Sequence, residues 1–167
     1  MKLLKINKND IRQYKLDMQE AFQMGAIEGG LDVKEEIILP ESDIDNSLNN
    51  KDAIAYKVVI NEKMVGGAII VIDKENKTGH LDFLYVKHGT QGKGIGKFIW
   101  YEIEKRHPEI NIWETCTPYF EKRNIHFYIN VCGFYAVEFF NSHHKDPNEK
   151  EDDFGMFVFI KIIPNKF

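Results

Sequence analysis

The segment QGKGIGK (91–97) places glycine at three alternate positions with two lysines among them. It follows the apolar stretch HLDFLYV (80–86), a predicted strand, and leads into FIWYEIEKRH (98–107), a predicted helix. Glycine loses the most backbone freedom on folding, so this density indicates either a tight turn or a loop that approaches a ligand. Unpaired N–H groups at a helix N-terminus, with lysines nearby, are typical of a phosphate site.

Two common phosphate-binding patterns fail on this loop. In the pattern G-x-x-x-x-G-K-[ST], Gly89 and Gly94 fit, but Ile95 stands where lysine is required. In the pattern G-x-G-x-x-G, Gly92 and Gly94 fit, but Lys97 stands where the third glycine is required. Both motifs also follow an early strand of a βαβ unit, whereas this loop follows an antiparallel meander.

Hydrophobic patterning around the loop predicts an α/β (α+β) fold with one mixed, mostly antiparallel sheet flanked by helices on both faces. The predicted order is β-α-(α)-β-β-β-α-β-α-β-β, within a single domain at 1–167. Strands are predicted at 3–6, 55–60, 64–72, 80–86, 110–115, 134–140 and 154–163. Helices are predicted from 11 to about 25, from 95 to 107 and from 117 to about 132, and 25–52 reads as irregular.

Several residues predict where the helices begin and end. Asp10, with Gln13 three residues later, predicts a capping box. Gly25 predicts the end of the first helix, and Thr117-Pro118 predicts the start of the last one. Gly133 suits the left-handed position after that helix.

Bulk composition favours an ordinary soluble enzyme or binding domain. The net charge is −4, which argues against a protein that binds nucleic acid through its whole surface. The N-terminus shows no signal peptide, and the longest apolar run, 65–72, is too short for a membrane span, so we expect a cytoplasmic protein with no membrane partner. Two cysteines without CxxC spacing and six histidines without ligand spacing predict no disulfide and no metal site.

The pattern that does match is Q-x-x-G-x-G at 91–96. Together with the preceding meander and the segment FYINVCGF (127–134), it resembles the acyl-CoA-binding region of the GCN5-related N-acetyltransferase (GNAT) family. The resemblance extends over almost the whole chain. It implies the acyl-CoA N-acyltransferase fold and an enzyme that moves an acetyl group from acetyl-CoA directly to a primary amine.

The resemblance also implies where the acyl donor binds. The pyrophosphate of coenzyme A would lie on the loop backbone, and the pantetheine arm would run beside the preceding strand, where the N–H near Val86 would polarise the thioester carbonyl. The implied loop residues are Gln91, Gly92, Lys93, Gly94, Ile95, Gly96 and Lys97. The implied strand residues are Leu84, Tyr85 and Val86.

A tyrosine on the helix before Gly-Phe often serves as the acid in this family, which makes Tyr128 the candidate. Asn124 is the candidate for a cofactor-contacting asparagine. Tyr128 stands five residues before Gly133, where four is common, and Asn124 stands only four before Tyr128, where seven is usual. We expect either a local bulge or a longer helix end to absorb the extra residue.

The family often places the general base on the strand that enters the loop. His80, Asp82, Leu84 and Val86 alternate in sequence and are expected on one face of that strand, unless the bulge that this family usually carries there changes the alternation near Val86. His80 and Asp82 are therefore base candidates. Glu114, on the neighbouring strand, is a third.

Acceptor pockets in this family come from segments that correspond to 24–50 and 141–153. Both are acid-rich here, which suits a cationic small-molecule or peptide amine. The acids are Glu28, Glu35, Glu36, Glu41, Asp43, Asp45, Asp146, Glu149, Glu151, Asp152 and Asp153.

Two alternative functions and one assembly stay open. The chain could be a catalytically silent acyl-CoA-binding module of the same fold, or a nucleotide-binding protein that uses the loop for ATP or NAD. A homodimer is possible through an edge strand at 134–140 or 154–163.

Overall fold

The computed structural model describes residues 1–33, 35–148 and 155–164, which form one seven-stranded sheet with helices on both faces. The strands are β1 Lys2–Lys5, β2 Ala53–Ile60, β3 Lys63–Asp73, β4 Thr78–Val86, β5 Ile112–Pro118, β6 Tyr135–Phe140 and β7 Met156–Ile162. The helices are α1 Ile11–Glu28, α2 Glu41–Leu48, α3 Ile95–Arg106 and α4 Lys122–His126, followed at once by a π-helical segment, Phe127–Val131. The predicted fold class is confirmed.

The strands follow the order β1-β2-β3-β4-β5-β7-β6, and only β4 and β5 are parallel neighbours. Their pairing begins at Thr78↔Ile112 and stops at Leu81↔Thr115. Beyond that point β5 continues along β7, while β4 continues along β3 as far as Val86. We call this opening, between β4 after Leu81 and β5 after Thr115, the splay.

A β-bulge at Asp82 changes which side chains share a face of β4. The ladder between β3 and β4 skips Asp82, so the alternation of side chains is reset there. Asp82 faces α2, where Ser47 donates a hydrogen bond to it, and His80 contacts it from the same side. Leu84 and Val86 instead pack on the α3 side of the sheet. The expectation that these four strand residues share one face is therefore wrong.

One core lies between the sheet and α3. Ile95, Ile99 and Ile103 recur at helical spacing, as the sequence predicts, and pack on Trp113 and Phe159. All five side chains are at most 2% exposed. Burying one such aliphatic side chain stabilises the fold by about 1.5–3 kcal/mol, so this cluster fixes α3 and the loop before it against the sheet.

A second core lies on the opposite face, under α1 and α2. Tyr14 and Met18 of α1 and Ile44 of α2 are fully buried against Ile69 and Tyr85 of the sheet. The rings of Tyr14 and Tyr85 meet edge to face with centroids 5.3 Å apart. This contact ties α1 to the end of β4, beside the splay.

The capping box predicted at the start of α1 does not form. Asp10 occupies the N-cap position in a helical conformation and makes no side-chain cap. Its carboxylate accepts hydrogen bonds from Lys57 at 2.7 and 2.8 Å and from the backbone N–H of Asn7 at 2.8 Å. Gln13 donates to Asp17 instead of reaching back. The charged partner on β2 therefore outcompetes the local cap.

The first helix is longer than predicted. Gly25 lies inside α1, which continues to Glu28 before Gly29 caps it. The region expected to be irregular, 25–52, contains α2, whose acidic first turn suits the positive end of a helix dipole.

The end of β5 also departs from the prediction. Thr117 and Pro118 do not start a helix; they are the end of β5 and pair with Phe157 and Met156 of β7. Thr117 is 2% exposed, so the ladder and its burial override the local Thr-Pro signal. The helix begins later, at Lys122. Gly133 follows with φ 80°, as expected.

The far edge of the sheet is β6, where Tyr135 and Val137 are 44% and 48% exposed. β7 lies between β5 and β6 and so cannot supply an edge, which corrects one of the two predicted dimer strands. A dimer through β6 stays a prediction. Among the described residues, no helix is both long and apolar enough to cross a membrane.

Candidate active site

The three glycines of the loop at 91–97 serve two different purposes. Gly92 and Gly94 have φ of 80° and 72°, and a Cβ at either would meet no neighbouring atom. These two positions therefore need glycine for backbone conformation. Gly96 lies within α3, where a Cβ would stand 3.2 Å from the Phe127 ring. It allows α3 to approach the π-helical segment closely.

Gln91 holds the turn that precedes the glycines. Its Oε1 accepts a hydrogen bond of 2.8 Å from the backbone N–H of Gly89, which has φ 85°. Thr90 donates from its hydroxyl to the Lys87 carbonyl at 2.7 Å in the same turn. The glutamine side chain thus fixes the start of the loop.

A cavity of about 730 Å³ lies between this loop, the end of β4, α1 and α4. Ten residues predicted to bind the cofactor line it: Leu84, Tyr85, Val86, Gln91, Gly92, Gly94, Ile95, Gly96, Lys97 and Asn124. Lys93 is exposed and is not one of the described lining residues. The structure adds wall residues that the sequence did not predict, chiefly Phe22 and Gly25 of α1 and Glu121 before α4.

The backbone of Val86 points into the splay. Lys87 donates its N–H to the Val65 carbonyl of β3 at 2.9 Å. Because hydrogen bonding alternates along an antiparallel strand, the N–H of the preceding residue, Val86, points away from β3. On that side β5 has already separated, since pairing ends at Leu81↔Thr115. The N–H is thus directed toward the cavity that Val86 lines.

Glu121 is a titratable residue of the cavity that was not predicted from the sequence. It lines the cavity and is 6% exposed. Burial and then the nearby Glu28 carboxylate raise the pKa of Glu121 to about 6, against a lowering effect of Arg123. Its carboxylate fits against α1 because Gly25 has no side chain: a Cβ there would lie 3.2 Å from Oε1. This carboxyl group therefore changes charge near neutral pH inside the cavity.

Glu121 occupies the position at which the family pattern has an asparagine. The family spacing places an asparagine seven residues before the helix tyrosine, and the residue seven before Tyr128 is Glu121, not Asn124. Asn124 also lines the cavity, one turn later.

The π-helical segment absorbs the extra residue before Gly133. Cys132 donates its N–H to the Phe127 carbonyl, five residues back, at 3.0 Å. The expected bulge is therefore present. Tyr128, inside this segment, is 6% exposed and is not among the described residues that line the cavity.

The Tyr128 hydroxyl interacts with Thr115, whose own hydroxyl donates to the Leu81 carbonyl at 2.9 Å. Leu81 and Thr115 form the last pair before the splay, so the Tyr128 hydroxyl lies near its apex. Burial raises the pKa of Tyr128 above its ordinary range. The hydroxyl is therefore protonated at neutral pH.

The three predicted base candidates lie together, outside the cavity lining. His80 Nδ1 stands 2.6 Å from Asp82 Oδ1, and His80 Nε2 stands 3.8 Å from Glu114 Oε1. Burial disfavours the imidazolium, but Asp82 and Cys116 outweigh it and raise the pKa of His80 to about 10. A histidine held protonated in this way cannot accept a proton at neutral pH.

The predicted acceptor acids fall into four groups, and one of these lies outside the cavity lining: Glu35, Glu36, Asp43 and Asp146. Glu28 lines the cavity and pairs with Arg123 at 3.2 Å. Glu41 and Asp45 are bound by Lys15 at 2.6 and 2.9 Å, away from the cavity lining. Glu149, Glu151, Asp152 and Asp153 lie outside the described residues.

Comparison with known proteins identifies the family. Residues 17–134 match the model of the acetyltransferase (GNAT) family. The chain is also 39% identical over 168 residues to the uncharacterized protein YrkN of Bacillus subtilis (strain 168), covering 95% of this chain and 91% of that protein. The chain belongs to the GNAT acetyltransferase family.

Solved structures share the fold at low identity. The ribosomal-protein-S18-alanine N-acetyltransferase of Escherichia coli superposes with a TM-score of 0.71 at 11% identity, covering 99% of this chain and 96% of that one. The paia N-acetyltransferase of Thermoplasma acidophilum, solved in complex with coenzyme A, has a TM-score of 0.69 at 18% identity, covering 97% and 98%. These likenesses establish the architecture alone.

Proposed function

We propose that this protein is an acetyl-CoA-dependent N-acetyltransferase that moves an acetyl group directly to a primary amine of a small molecule or peptide. The observation that carries the proposal is the cavity of about 730 Å³ in which the glycine loop, the splayed end of β4 and a buried carboxylate meet. The backbone at Gly92 and Gly94 fits a pyrophosphate, because open N–H groups at the start of α3 attract an anion. Acetyl-CoA supplies an activated thioester when bound.

We assign three roles to this chain's own groups. The Val86 N–H donates to the thioester carbonyl oxygen. Glu121, with its pKa of about 6, is ionised at neutral pH and accepts a proton from the acceptor ammonium. Tyr128, near the apex of the splay, donates a proton to the departing thiolate. Glu121 replaces His80, Asp82 and Glu114 as the proposed base, because it lies in the cavity and they do not.

The acceptor we propose is cationic. Glu28 and Glu121 place two carboxyl groups on the cavity wall, and Arg123 neutralises Glu28 only in part, since both of their side chains are largely exposed. An ammonium that enters the cavity would meet a carboxylate that can both attract it and deprotonate it.

One observation favours a second candidate, a catalytically silent acyl-CoA-binding module. Tyr128 is buried and lies outside the cavity lining, so an acid role needs the bound donor to reach its hydroxyl. A silent module would bind coenzyme A and release no thiol.

The deciding experiment measures thiol release from acetyl-CoA with a panel of primary amines. We expect turnover with at least one cationic amine, and kcat/KM lower by about 10²–10⁴-fold in Glu121→Gln. Glu20→Gln is the matched control, because Glu20 is an exposed acid of α1 outside the lining residues. Binding of coenzyme A without turnover on any amine would support the silent module. Thermal stabilisation by ATP or NAD, but not by coenzyme A, would refute both.

A further inference from the structure

A cluster of potential metal ligands lies on the face of the sheet that carries the Asp82 bulge. His80, Glu114 and Cys116 each offer one ligand atom, and these atoms all lie within 4.8 Å of one another. His80 and Glu114 are directly paired across the parallel β4–β5 ladder, and Cys116 follows two residues later on the same face of β5. We propose that these three residues form a binding site for a zinc-class divalent cation.

The histidine is oriented for this role, and the metal would displace the proton that Nε2 carries in the metal-free chain. Its Nδ1 is hydrogen-bonded to Asp82 Oδ1 at 2.6 Å, so Nε2 faces Glu114 and Cys116. Metal-binding histidines commonly have their second nitrogen held by a carboxylate in this way. Asp82 is itself held, since Ser47 of α2 donates to its other oxygen at 2.5 Å. These two hydrogen bonds fix the ring before any metal arrives.

The ligand types and spacing suit zinc. Imidazole, thiolate and carboxylate are its protein ligands, and bonds of about 2.0–2.3 Å at tetrahedral angles place ligand atoms about 3.3–3.8 Å apart. His80 Nε2 and Glu114 Oε1 are already 3.8 Å apart. Glu114 and Cys116 are exposed, so small side-chain rotations can close the site. Three protein ligands leave a fourth position open to solvent.

The site would act as a clamp at the apex of the splay. His80↔Glu114 is the pair next to the last one before β4 and β5 separate. A metal there would join the two strands by coordinate bonds, where the metal-free chain has only the 3.8 Å contact between His80 Nε2 and Glu114 Oε1. It lies outside the cavity lining and does not depend on the proposed acetyl transfer. A bound metal would also occupy His80 and Glu114, which leaves the base role to Glu121.

The test uses the metal-free full chain and reads metal binding directly. Equilibrium dialysis against Zn²⁺ should give one metal per chain, and Co²⁺ should give a thiolate-to-cobalt charge-transfer band. Cys116→Ala should abolish the band and weaken zinc binding, whereas Cys132→Ala, at the chain's buried second cysteine, should keep both. Asp82→Asn should weaken zinc binding by about 10–100-fold.

The comparison of Cys116→Ala with Cys132→Ala tests the proposal even if Asp82→Asn folds poorly, because Cys116 is exposed and its replacement disturbs no core. Binding of less than one zinc per chain, or zinc affinity in Cys116→Ala equal to that of the wild type, would overturn the proposal. A zinc-dependent rise in Tm that is present in the wild type and lost in Cys116→Ala would support the clamp.

Discussion

Replacing the cavity carboxylate Glu121 by glutamine should make the protein more stable while it removes activity. Burial, and next the neighbouring Glu28, raise the pKa of Glu121 from 4.5 to about 6. An acid whose pKa is raised by folding prefers its neutral form in the folded state. The wild type therefore loses stability as pH rises from about 4.5 through 6, and the loss is complete above that range.

The expected size follows from that pKa change. A rise from 4.5 to about 6 corresponds to about 2 kcal/mol. The open cavity admits solvent, which screens this to about 1 kcal/mol. Glutamine has nearly the same shape without the charge, so Glu121→Gln should gain about 1 kcal/mol at pH 7.5 and nothing at pH 4. For a chain of this length the gain at pH 7.5 corresponds to a Tm rise of about 2–4 °C.

Urea unfolding of both proteins at the two pH values measures the effect. Glu20→Gln, an exposed acid on α1, serves as the control and should change the free energy of unfolding by less than about 0.5 kcal/mol at either pH. If Glu121→Gln were less stable than the wild type at pH 7.5, the carboxylate would be a stabilising partner rather than a strained one. An equal difference at both pH values would show that its charge is irrelevant.

Four further outcomes test the site. The kcat/KM of the wild type should rise with pH through about 6, and Glu121→Gln should lose that limb in a pH–rate profile. Gly94→Asp should raise the Kd for coenzyme A by at least about 100-fold in calorimetry, because it puts an anion beside the pyrophosphate. Gly94→Asn, equal in size and tolerant of φ 72°, should change it by less than about 10-fold, and equal losses would point to strain. Tyr128→Phe should lower kcat by about 100-fold with little change in Kd, and an unchanged kcat would remove its acid role. Gly25→Ala places a Cβ 3.2 Å from the Glu121 carboxylate and should move the acid limb of the pH–rate profile to a pH above 6. An unmoved limb would mean that α1 does not set the pKa of Glu121.

Much of the fold is predictable from periodicity because the responsible interactions are local or face one core. Ile95, Ile99 and Ile103 predicted α3 correctly. Gly92 and Gly94 have positive φ, a backbone conformation that favours glycine. The errors arise where a distant partner overrides a local signal. Asp10 is drawn to Lys57 on β2 instead of capping its own helix.

The candidate site was harder to predict for the same reason. The glycine loop at 91–97 is continuous in sequence, so its residues could be named together. The pKa of Glu121 is raised mainly by burial, and the carboxylate is buried beside Gly25, which is nearly a hundred residues away in the chain. The group of His80, Glu114 and Cys116 spans two strands, and no linear spacing of histidines reveals it.

The π-helical segment lets the last helix hold one residue more than a regular α-helix would hold between the same two points. One wide turn, closed by the bond from Cys132 to Phe127, accommodates an additional residue without moving Gly133 off its left-handed conformation. Relatives that lack the wide turn would reach the same three-dimensional positions with one residue fewer. Glu121, before the turn, and Tyr128, at its second residue, stand seven residues apart, and a gap in an alignment belongs after Tyr128 and before Gly133.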